Sequence, residues 1–318
     1  ECNMTFTEKL KLHIKTAFDM DMVGIASAQS LAGEPEGHRP TDLLPGAKCV
    51  IVFGKRLADG AVAADFRALE EKNMPAQSSY AAYASDIGPN FLTANDTNDI
   101  AAYIEDNYHA VTMPLPFNVQ QNMIWDVVPG PLFADPYGQG MPLDVFKAAM
   151  AAGLGELGWS NRFLTEENGP RQILSAVITT LDLDCDAPYN GPALCDPAKC
   201  GICAKVCPTC AISATEKKTV SVEGKSVDVS DLKVNSCIVA SMAMRKQFGG
   251  RLPVPDLIMH DDPTDEELIE AFKKKPVNGL SVDHYPRYFC DRCLLYCPVG
   301  NWQKRFGDTH LSSFKSEN

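Results

Sequence analysis

Hydrophobic and polar residues in the first part of the chain alternate between helical and strand spacing. In residues 6–20, FTEKLKLHIKTAFDM, apolar side chains recur at helical intervals, which predicts an amphipathic helix. The apolar segment MVGIAS that follows predicts a short strand. After a Pro-Gly turn, CVIVFG at residues 49–54 predicts a buried strand of the kind that alternates with helices in α/β proteins. Residues 57–73, rich in alanine and charge, predict a second helix.

This pattern continues to residue 184 and then changes. We predict a helix centred near residues 100–107 and a strand at 109–113. MPLDVFKAAMAAGLGELGW predicts a helix that ends at its glycines, and RQILSAVITTLDL predicts a strand. From residue 185 onward, cysteine-bearing turns surround a more polar stretch, and a capping box from Thr264 to Glu267 predicts a surface helix. The sequence therefore predicts an α+β protein with two domains, residues 1–184 and 185–318.

Charge and hydropathy exclude some functions. The 318-residue chain carries a net charge of −12, which argues against a nucleic-acid backbone as the main partner. No apolar run approaches the length that crosses a membrane, so we expect no membrane span. The first residues lack the pattern of a secretory signal and contain no twin arginine, and we therefore expect a cytoplasmic protein.

Cysteine spacing carries the strongest chemical signal. Of twelve cysteines, most lie in the C-terminal half, where CGICAKVCP and CDRCLLYCP repeat the pattern C-x-x-C-x-x-x-C-P. In a reducing compartment such groups favour metal binding over disulfides. The pattern matches the end of the bacterial ferredoxin run, in which the proline-adjacent cysteine ligates the other cluster. Two copies therefore predict two [4Fe–4S] clusters that exchange these cysteines.

Each cluster then needs one more cysteine, and Cys195 and Cys237 are the natural suppliers. The predicted ligands of one cluster, here called the first quartet, are Cys195, Cys200, Cys203 and Cys297. Those of the other, the second quartet, are Cys207, Cys237, Cys290 and Cys293. Two structural zinc sites are the alternative, because eight cysteines also satisfy two closed tetrahedra. The two Cys-Pro endings favour clusters. We expect Cys210 to be a packing residue and Cys49 to be a small buried one.

Two other segments carry candidate chemistry. The loop VVPGPLFADPYGQGMPLD is rich in glycine and proline, and its Asp135, Tyr137 and Asp144 are candidate proton donors, with helix caps or solvated loop residues as the alternative. Gly153-x-Gly155-x-x-Gly158 formally matches a dinucleotide fingerprint, but it follows a helical run instead of a strand. We therefore expect a glycine-rich helix end that allows close approach to something flat.

The order of these segments resembles the cobalamin-dependent iron–sulfur reductases, the family of epoxyqueuosine reductase and the reductive dehalogenases. The resemblance covers MVGIASA, LLPGAKCVIVFG, the stretch from AAGLGE through GPR to ITTLDL, the cysteine motifs and YFCDRCLLYCPVGNW. It implies a nitroreductase-like α/β domain that holds a base-off corrinoid, followed by a ferredoxin-like domain with two [4Fe–4S] clusters. By the same resemblance, AGLGE and GPR would supply the corrinoid-binding residues Gly153, Leu154, Gly155, Gly169 and Arg171.

The implied enzyme would pass electrons singly to the cobalt, and a nearby Tyr or Asp would supply a proton. Its partners would be a small organic substrate and a low-potential donor, ferredoxin or flavodoxin; tRNA is possible but not favoured. Two departures from the family are the four-residue gap between Cys195 and Cys200, which indicates a bulged loop at residues 196–199, and the long link between Cys237 and Cys290. The alternative function is a non-catalytic electron carrier whose α/β domain docks to a partner reductase.

Overall fold

The computed structural model describes residues 4–70, 93–115, 142–241, 244–248, 256–274 and 290–300. The helices of this part are α1 (Phe6–Ala17), α2 (Pro40–Leu43), α3 (Asp59–Glu70), α4 (Thr93–Tyr108), α5 (Val145–Ala151), α6 (Ile202–Lys205), α7 (Val234–Ser241), α8 (Asp265–Lys274) and α9 (Arg292–Leu295). The strands are β1 (Met22–Ser27), β2 (Cys49–Arg56), β3 (Thr112–Pro114), β4 (Glu156–Leu157), β5 (Phe163–Leu164), β6 (Gln172–Thr179), β7 (Lys217–Val222) and β8 (Lys225–Ser230).

The central sheet has four strands in the order β1-β2-β6-β3, and every neighbouring pair is antiparallel. The strand predicted at residues 49–54 is confirmed, but its sequence pattern does not reveal that its neighbours are antiparallel. The reason is burial: β6 is buried along its whole length and β2 along all but its end. Strands covered by helices on both faces are apolar runs in parallel and antiparallel sheets alike, so the run does not reveal direction.

Helices cover both faces of this sheet. On one face, Ile25, Ile51 and Val177 pack with residues of α1 and α4 in one hydrophobic cluster. On the other face, Val52 and Ala176 belong to a second cluster that includes most of α5. This alternation follows from the opposite direction of successive side chains in a strand. The mixed fold of helices and strands expected from the sequence is confirmed in these terms.

The second hydrophobic cluster continues past residue 184. Val222 and Val229 of the β7–β8 hairpin are buried in it together with α5 and the central sheet. The segment before the first cysteine motif also lies on the sheet: Asp186 N donates to the carbonyl of Ile25 at 2.8 Å, and the Asp186 carboxylate binds Lys11. A separate small core forms around Ile238 and Leu268. The division into two domains at residue 184 stays a prediction, and apolar packing crosses that position.

The sequence signals that mark the ends of helices and strands were correct in one case and inaccurate in another. The capping box from Thr264 to Glu267 is present, with Glu267 N donating to Thr264 Oγ1 at 3.3 Å. The strand expected at residues 109–113 begins only at Thr112, because His109 takes a left-handed conformation (φ 54°) that ends α4. Within the described residues, no helix combines the length and apolar character needed to cross a membrane.

Candidate metal centres

The two cysteine motifs have the same local fold. In each, the residue after the first cysteine has positive φ, 61° at Gly201 and 29° at Asp291. A four-residue helix follows, α6 in the first motif and α9 in the second, and it carries the second cysteine of C-x-x-C. Each helix ends just before the proline-adjacent cysteine. The internal repeat seen in the sequence is therefore a repeat of backbone conformation.

The four-residue gap between Cys195 and Cys200 is an exposed turn. Cys200 N donates to the Asp196 carbonyl at 3.0 Å, and Lys199 Nζ lies 2.8 Å from the Asp196 carboxylate. Aspartate at the first position and proline at the second are the favoured residues of such a turn. The extra residues thus lengthen the loop on its solvent side and leave both cysteines facing inward.

A cavity of about 190 Å³ is lined by the first quartet, Cys195, Cys200, Cys203 and Cys297. Trp159, Leu164 and Val299 contribute apolar surface to it. Trp159 N donates to Sγ of Cys195 at 3.4 Å. The site therefore offers four cysteine sulfurs as metal ligands in a largely apolar setting. One of them, Cys195 Sγ, also accepts a hydrogen bond from a backbone N–H.

Burial raises the pKa of thiols in the first quartet. The pKa of Cys297 is raised to about 11, mainly by burial; its hydrogen bond from the Val299 backbone and the charge of Arg171 oppose the rise, and the thiols of Cys195 and Cys200 add to it. Burial also raises the pKa of Cys195, to which Cys200 adds. Removal from water disfavours the thiolate, and neighbouring thiolates repel it. A metal that binds here must displace protons from these thiols.

The second quartet shows the same mutual effects. The pKa of Cys237 lies well above its usual value because of burial, with further increases from Cys293, Cys290 and Cys207. The pKa of Cys290 is raised to about 12, again mainly by burial, and Cys293 and Cys207 contribute. Sγ of Cys207 accepts a hydrogen bond from Ala211 N at 3.2 Å. These neighbour relations agree with the cysteine exchange inferred from the two Cys-Pro endings.

The two quartets adjoin each other at Cys203 and Cys293. Burial raises the pKa of Cys203 to about 12, and the next contributions come from Cys293, Cys195 and Cys297. Cys203 thus interacts with one cysteine of the second quartet as well as with its own. Among the described residues, no group of three or more His, Cys, Asp or Glu side chains is arranged to hold a single metal ion. The ligands of a [4Fe–4S] cluster bind separate iron atoms, so they need not meet at one point.

Arg171, predicted to bind a corrinoid, holds the second cysteine motif. Its guanidinium is buried and donates to the carbonyl oxygens of Leu294, Cys297 and Val299 at 2.9–3.2 Å. Gly169 has φ of 57°, and a Cβ there would lie 2.1 Å from the Val299 carbonyl oxygen. Both residues of the GPR segment therefore support the loop that carries Cys297.

The other predicted corrinoid residues also lie against protein. A Cβ on Gly153 would meet the Ala187 carbonyl oxygen at 2.3 Å, and one on Gly155 would meet the Leu164 carbonyl oxygen at 2.0 Å. Leu154 packs partly buried against the hydrophobic cluster that includes α5. The close approach expected of this glycine-rich helix end is thus to backbone. A role in corrinoid binding stays a prediction.

Of the three candidate proton donors, the structure describes only Asp144. Its Oδ1 caps α5 by accepting hydrogen bonds from Phe146 N at 3.0 Å and Lys147 N at 3.1 Å. This cap is the alternative that the loop composition left open. Tyr137 and Asp135 lie outside the described residues, and their role as proton donors, like that of Asp144, stays a prediction.

Two cysteines outside the quartets were also assigned from sequence. Cys210 was expected to pack internally, but it is exposed, with φ of 52°. The left-handed turn that it occupies turns the chain after Cys207 and leaves its own side chain on the surface. Cys49 is buried, as predicted, and its Sγ lies 3.9 Å from Sγ of Cys185.

Sequence reasoning missed Arg162 and Trp159, which both contact cluster cysteines from the β4–β5 hairpin. Arg162 Nε donates to Sγ of Cys293 at 3.1 Å, and its guanidinium forms an ion pair with Asp291. The indole of Trp159 donates to the Ser213 carbonyl at 2.7 Å. Residues 131 positions apart in the chain share no local spacing, so no pattern pointed to the contact between Arg162 and Cys293.

No family model and no curated protein matches the chain. Similar solved structures include epoxyqueuosine reductases and reductive dehalogenases, the two groups that the sequence motifs resemble. An epoxyqueuosine reductase solved with a tRNA stem loop has 15% identity and a TM-score of 0.45, over 88% of this chain and 68% of that one. The Bacillus subtilis enzyme has 14% identity and a TM-score of 0.45, over 93% and 82%. For a reductive dehalogenase described with B12-dependent dehalogenation, identity is 18% and the TM-score 0.48; the match covers 76% of this chain and only 30% of that one.

Proposed function

We propose that this chain is an iron–sulfur oxidoreductase that holds two [4Fe–4S] clusters and transfers their electrons to a corrinoid bound base-off in the same protein. The reduced corrinoid would act on a small organic substrate. The observation that carries the iron–sulfur part is the cavity lined by all four cysteines of the first quartet. A donor set of cysteine sulfurs alone suits such clusters.

The swapped ligand argues for clusters over two zinc sites. Cys297, from the second motif, lines the cavity with Cys195 and with Cys200 and Cys203 of the first motif. Cys207, from the first motif, is an electrostatic neighbour of Cys237 and Cys290. Zinc sites need no such exchange, whereas the two-cluster ferredoxin run is defined by it. When bound, the clusters would store and release single electrons. The chain would hold them, restrict the access of water to them and donate hydrogen bonds to their sulfur ligands.

Contacts from the N-terminal part favour an integrated enzyme over an electron carrier with a separate docking module. Trp159 lines the first-quartet cavity and Arg162 donates to a second-quartet sulfur. Arg171 holds the backbone around Cys297 through four hydrogen bonds to carbonyl oxygens. A docking module would not need to supply parts of both cluster sites.

The corrinoid has no assigned contact among the described residues. Gly153, Gly155 and Gly169 lie against backbone carbonyls, and the two terminal nitrogens of Arg171 donate to others. Their role in corrinoid binding therefore stays a prediction, and no chemical step is assigned to them. The corrinoid part of the proposal rests on the resemblance of the sequence motifs.

An anaerobic titration with hydroxocobalamin tests the proposal. The cluster-loaded protein should bind one equivalent and shift the cobalamin spectrum to that of the base-off form. Reduction of the clusters should then be followed by reduction of the bound cobalt. A protein that binds no cobalamin while its cluster absorbance is unchanged would be an electron carrier instead. Turnover is then compared between epoxyqueuosine on tRNA and a panel of halogenated aromatics and alkenes; the net charge of −12 favours the small substrates.

A further inference from the structure

The backbone of Arg162 is fixed by hydrogen bonds of the β4–β5 hairpin that do not involve any cysteine. It ends the turn between β4 and β5, where its carbonyl accepts from Gly158 N at 2.9 Å. Asn161, beside it, has φ of 61° and donates from its side chain to the Ser230 carbonyl at 2.9 Å. The backbone that carries Arg162 is thus fixed to the β7–β8 hairpin, and the side chain extends from a rigid support.

The guanidinium of Arg162 lies between a cluster ligand and a carboxylate. Nε donates to Sγ of Cys293 at 3.1 Å, and a terminal nitrogen pairs with Asp291. The side chains are 18% and 6% exposed for Arg162 and Asp291, so solvent screens the interaction only weakly. The positive end of this ion pair donates to the sulfur of Cys293, and the negative end belongs to the residue that follows Cys290.

In the second cysteine motif, Asp291 adopts a backbone conformation that is unfavourable for a residue with a Cβ, and this residue forms the ion pair. The residue after the first cysteine of the motif needs positive φ; the first motif has Gly201 there and the second has Asp291. A left-handed conformation costs a residue with a Cβ about 1–2 kcal/mol, and glycine avoids that cost. The aspartate gains a contact that glycine cannot make, its ion pair with Arg162. Both quartets also receive a backbone N–H, from Trp159 N to Cys195 Sγ at 3.4 Å and from Ala211 N to Cys207 Sγ at 3.2 Å.

We propose that Arg162 raises the reduction potential of the cluster held by the second quartet, through its hydrogen bond to Cys293 and its positive charge. Reduction adds one negative charge to a cluster and its thiolates. Donors and cations at the ligand sulfurs stabilise the reduced form, which raises the potential. Arg162 is thus a positioning and tuning residue that acts through Cys293. The inference rests on the proposed function, since it requires a cluster at the second quartet.

The test is a redox titration of the anaerobically reconstituted protein, followed by electron paramagnetic resonance, for the wild type and two variants. In Arg162→Gln the second-quartet signal should move to lower potential, by about 59 mV if the oxidised-to-reduced ratio at fixed potential changes tenfold. The first-quartet signal should stay in place. Asp291→Asn keeps a neutral hydrogen-bond partner and removes a negative charge, so it should move the same signal to higher potential.

The iron content of each variant distinguishes failure of the proposed function from failure of the proposed role of Arg162. If the wild type itself binds no clusters, the proposed function fails before the inference is reached. If Arg162→Gln keeps about eight irons per chain and its potentials equal those of the wild type, the tuning role is refuted. If that variant loses a cluster, Arg162→Lys decides: a retained cluster with a smaller downward shift supports tuning. Loss of the cluster in both variants would show that Arg162 only holds the structure, and would overturn the inference.

Discussion

Replacing Gly169 by alanine should release the first cluster without touching any cysteine. The new Cβ would lie 2.1 Å from the carbonyl oxygen of Val299 and 2.8 Å from its carbonyl carbon. Both atoms are backbone, so no side-chain rotation relieves the overlap. The loop around Pro298 must move, and Cys297, one residue earlier, must move with it.

The expected loss of stability follows from two contributions. The left-handed backbone of Gly169 (φ 57°) costs alanine about 1–2 kcal/mol, and the overlap adds about 1–3 kcal/mol. Gly37→Ala is the matched control, because Gly37 also has positive φ (87°) but nothing lies within 4 Å of its Cβ position. The control should lose only about 1–2 kcal/mol and should keep its iron.

Urea unfolding and iron analysis of both variants measure these effects. Gly169→Ala should be less stable than Gly37→Ala by about 1–3 kcal/mol. Its iron should fall from about eight to about four atoms per chain, since only the first quartet uses Cys297. If Gly169→Ala keeps all its iron and matches the control in stability, the described contact between Gly169 and the Cys297 loop is refuted.

The remaining predictions concern a ligand, a buried thiol and a helix cap. Cys237→Ala should lose the second cluster and about half of the iron, whereas the exposed Cys210→Ala should keep both clusters; equal iron in the two variants contradicts the ligand assignment. Burial raises the pKa of Cys49 from 9.0 to about 12, so its thiol stabilises the fold below pH 9 and that stabilisation is lost as pH rises toward 12. The stability advantage of the wild type over Cys49→Ala should therefore narrow above pH 9, by at most about 1.4 kcal/mol per pH unit, and a constant difference in denaturant unfolding would refute this. Asp144→Ala should cost about 1 kcal/mol in thermal unfolding by uncapping α5 while Asp144→Asn costs less; loss of turnover in Asp144→Asn at unchanged stability would instead show a proton donor.

Most strands of the central sheet could be predicted because each has a recognisable local sequence pattern. The segments that became β1, β2 and β6 are short apolar runs bounded by turns or polar residues, and burial on both faces preserved that signal. Strand direction was not predictable, because it depends on how distant segments pair and not on the composition of either one.

The β7–β8 hairpin was missed although a signal is present. KKTVSV and KSVDVS alternate polar and apolar residues around Glu223 and Gly224, both of which have positive φ. Asn-Gly is the usual marker of such a two-residue turn, and Glu-Gly is a weaker one. The hairpin matters because its valines extend the main core across residue 184.

At the candidate cluster sites, too, one part could be predicted from the sequence and another could not. Their cysteine ligands were predictable because cluster geometry imposes short spacings within one turn. The supporting residues were not, because Arg162 and Arg171 reach the cysteine motifs from more than a hundred residues away. Arg171 was noticed for its GPR segment, yet its contacts with the Cys297 loop appear only once the chain is folded.

Whether the chain holds two clusters is tested most directly by the iron, zinc and acid-labile sulfide content of the protein purified without oxygen. Two [4Fe–4S] clusters predict about eight irons and eight sulfides per chain. The dithionite-reduced protein should also give the resonance spectrum of two magnetically interacting clusters, since the quartets adjoin at Cys203 and Cys293. About two zinc ions per chain, with no sulfide, would show that the cysteines form zinc sites and not iron–sulfur clusters.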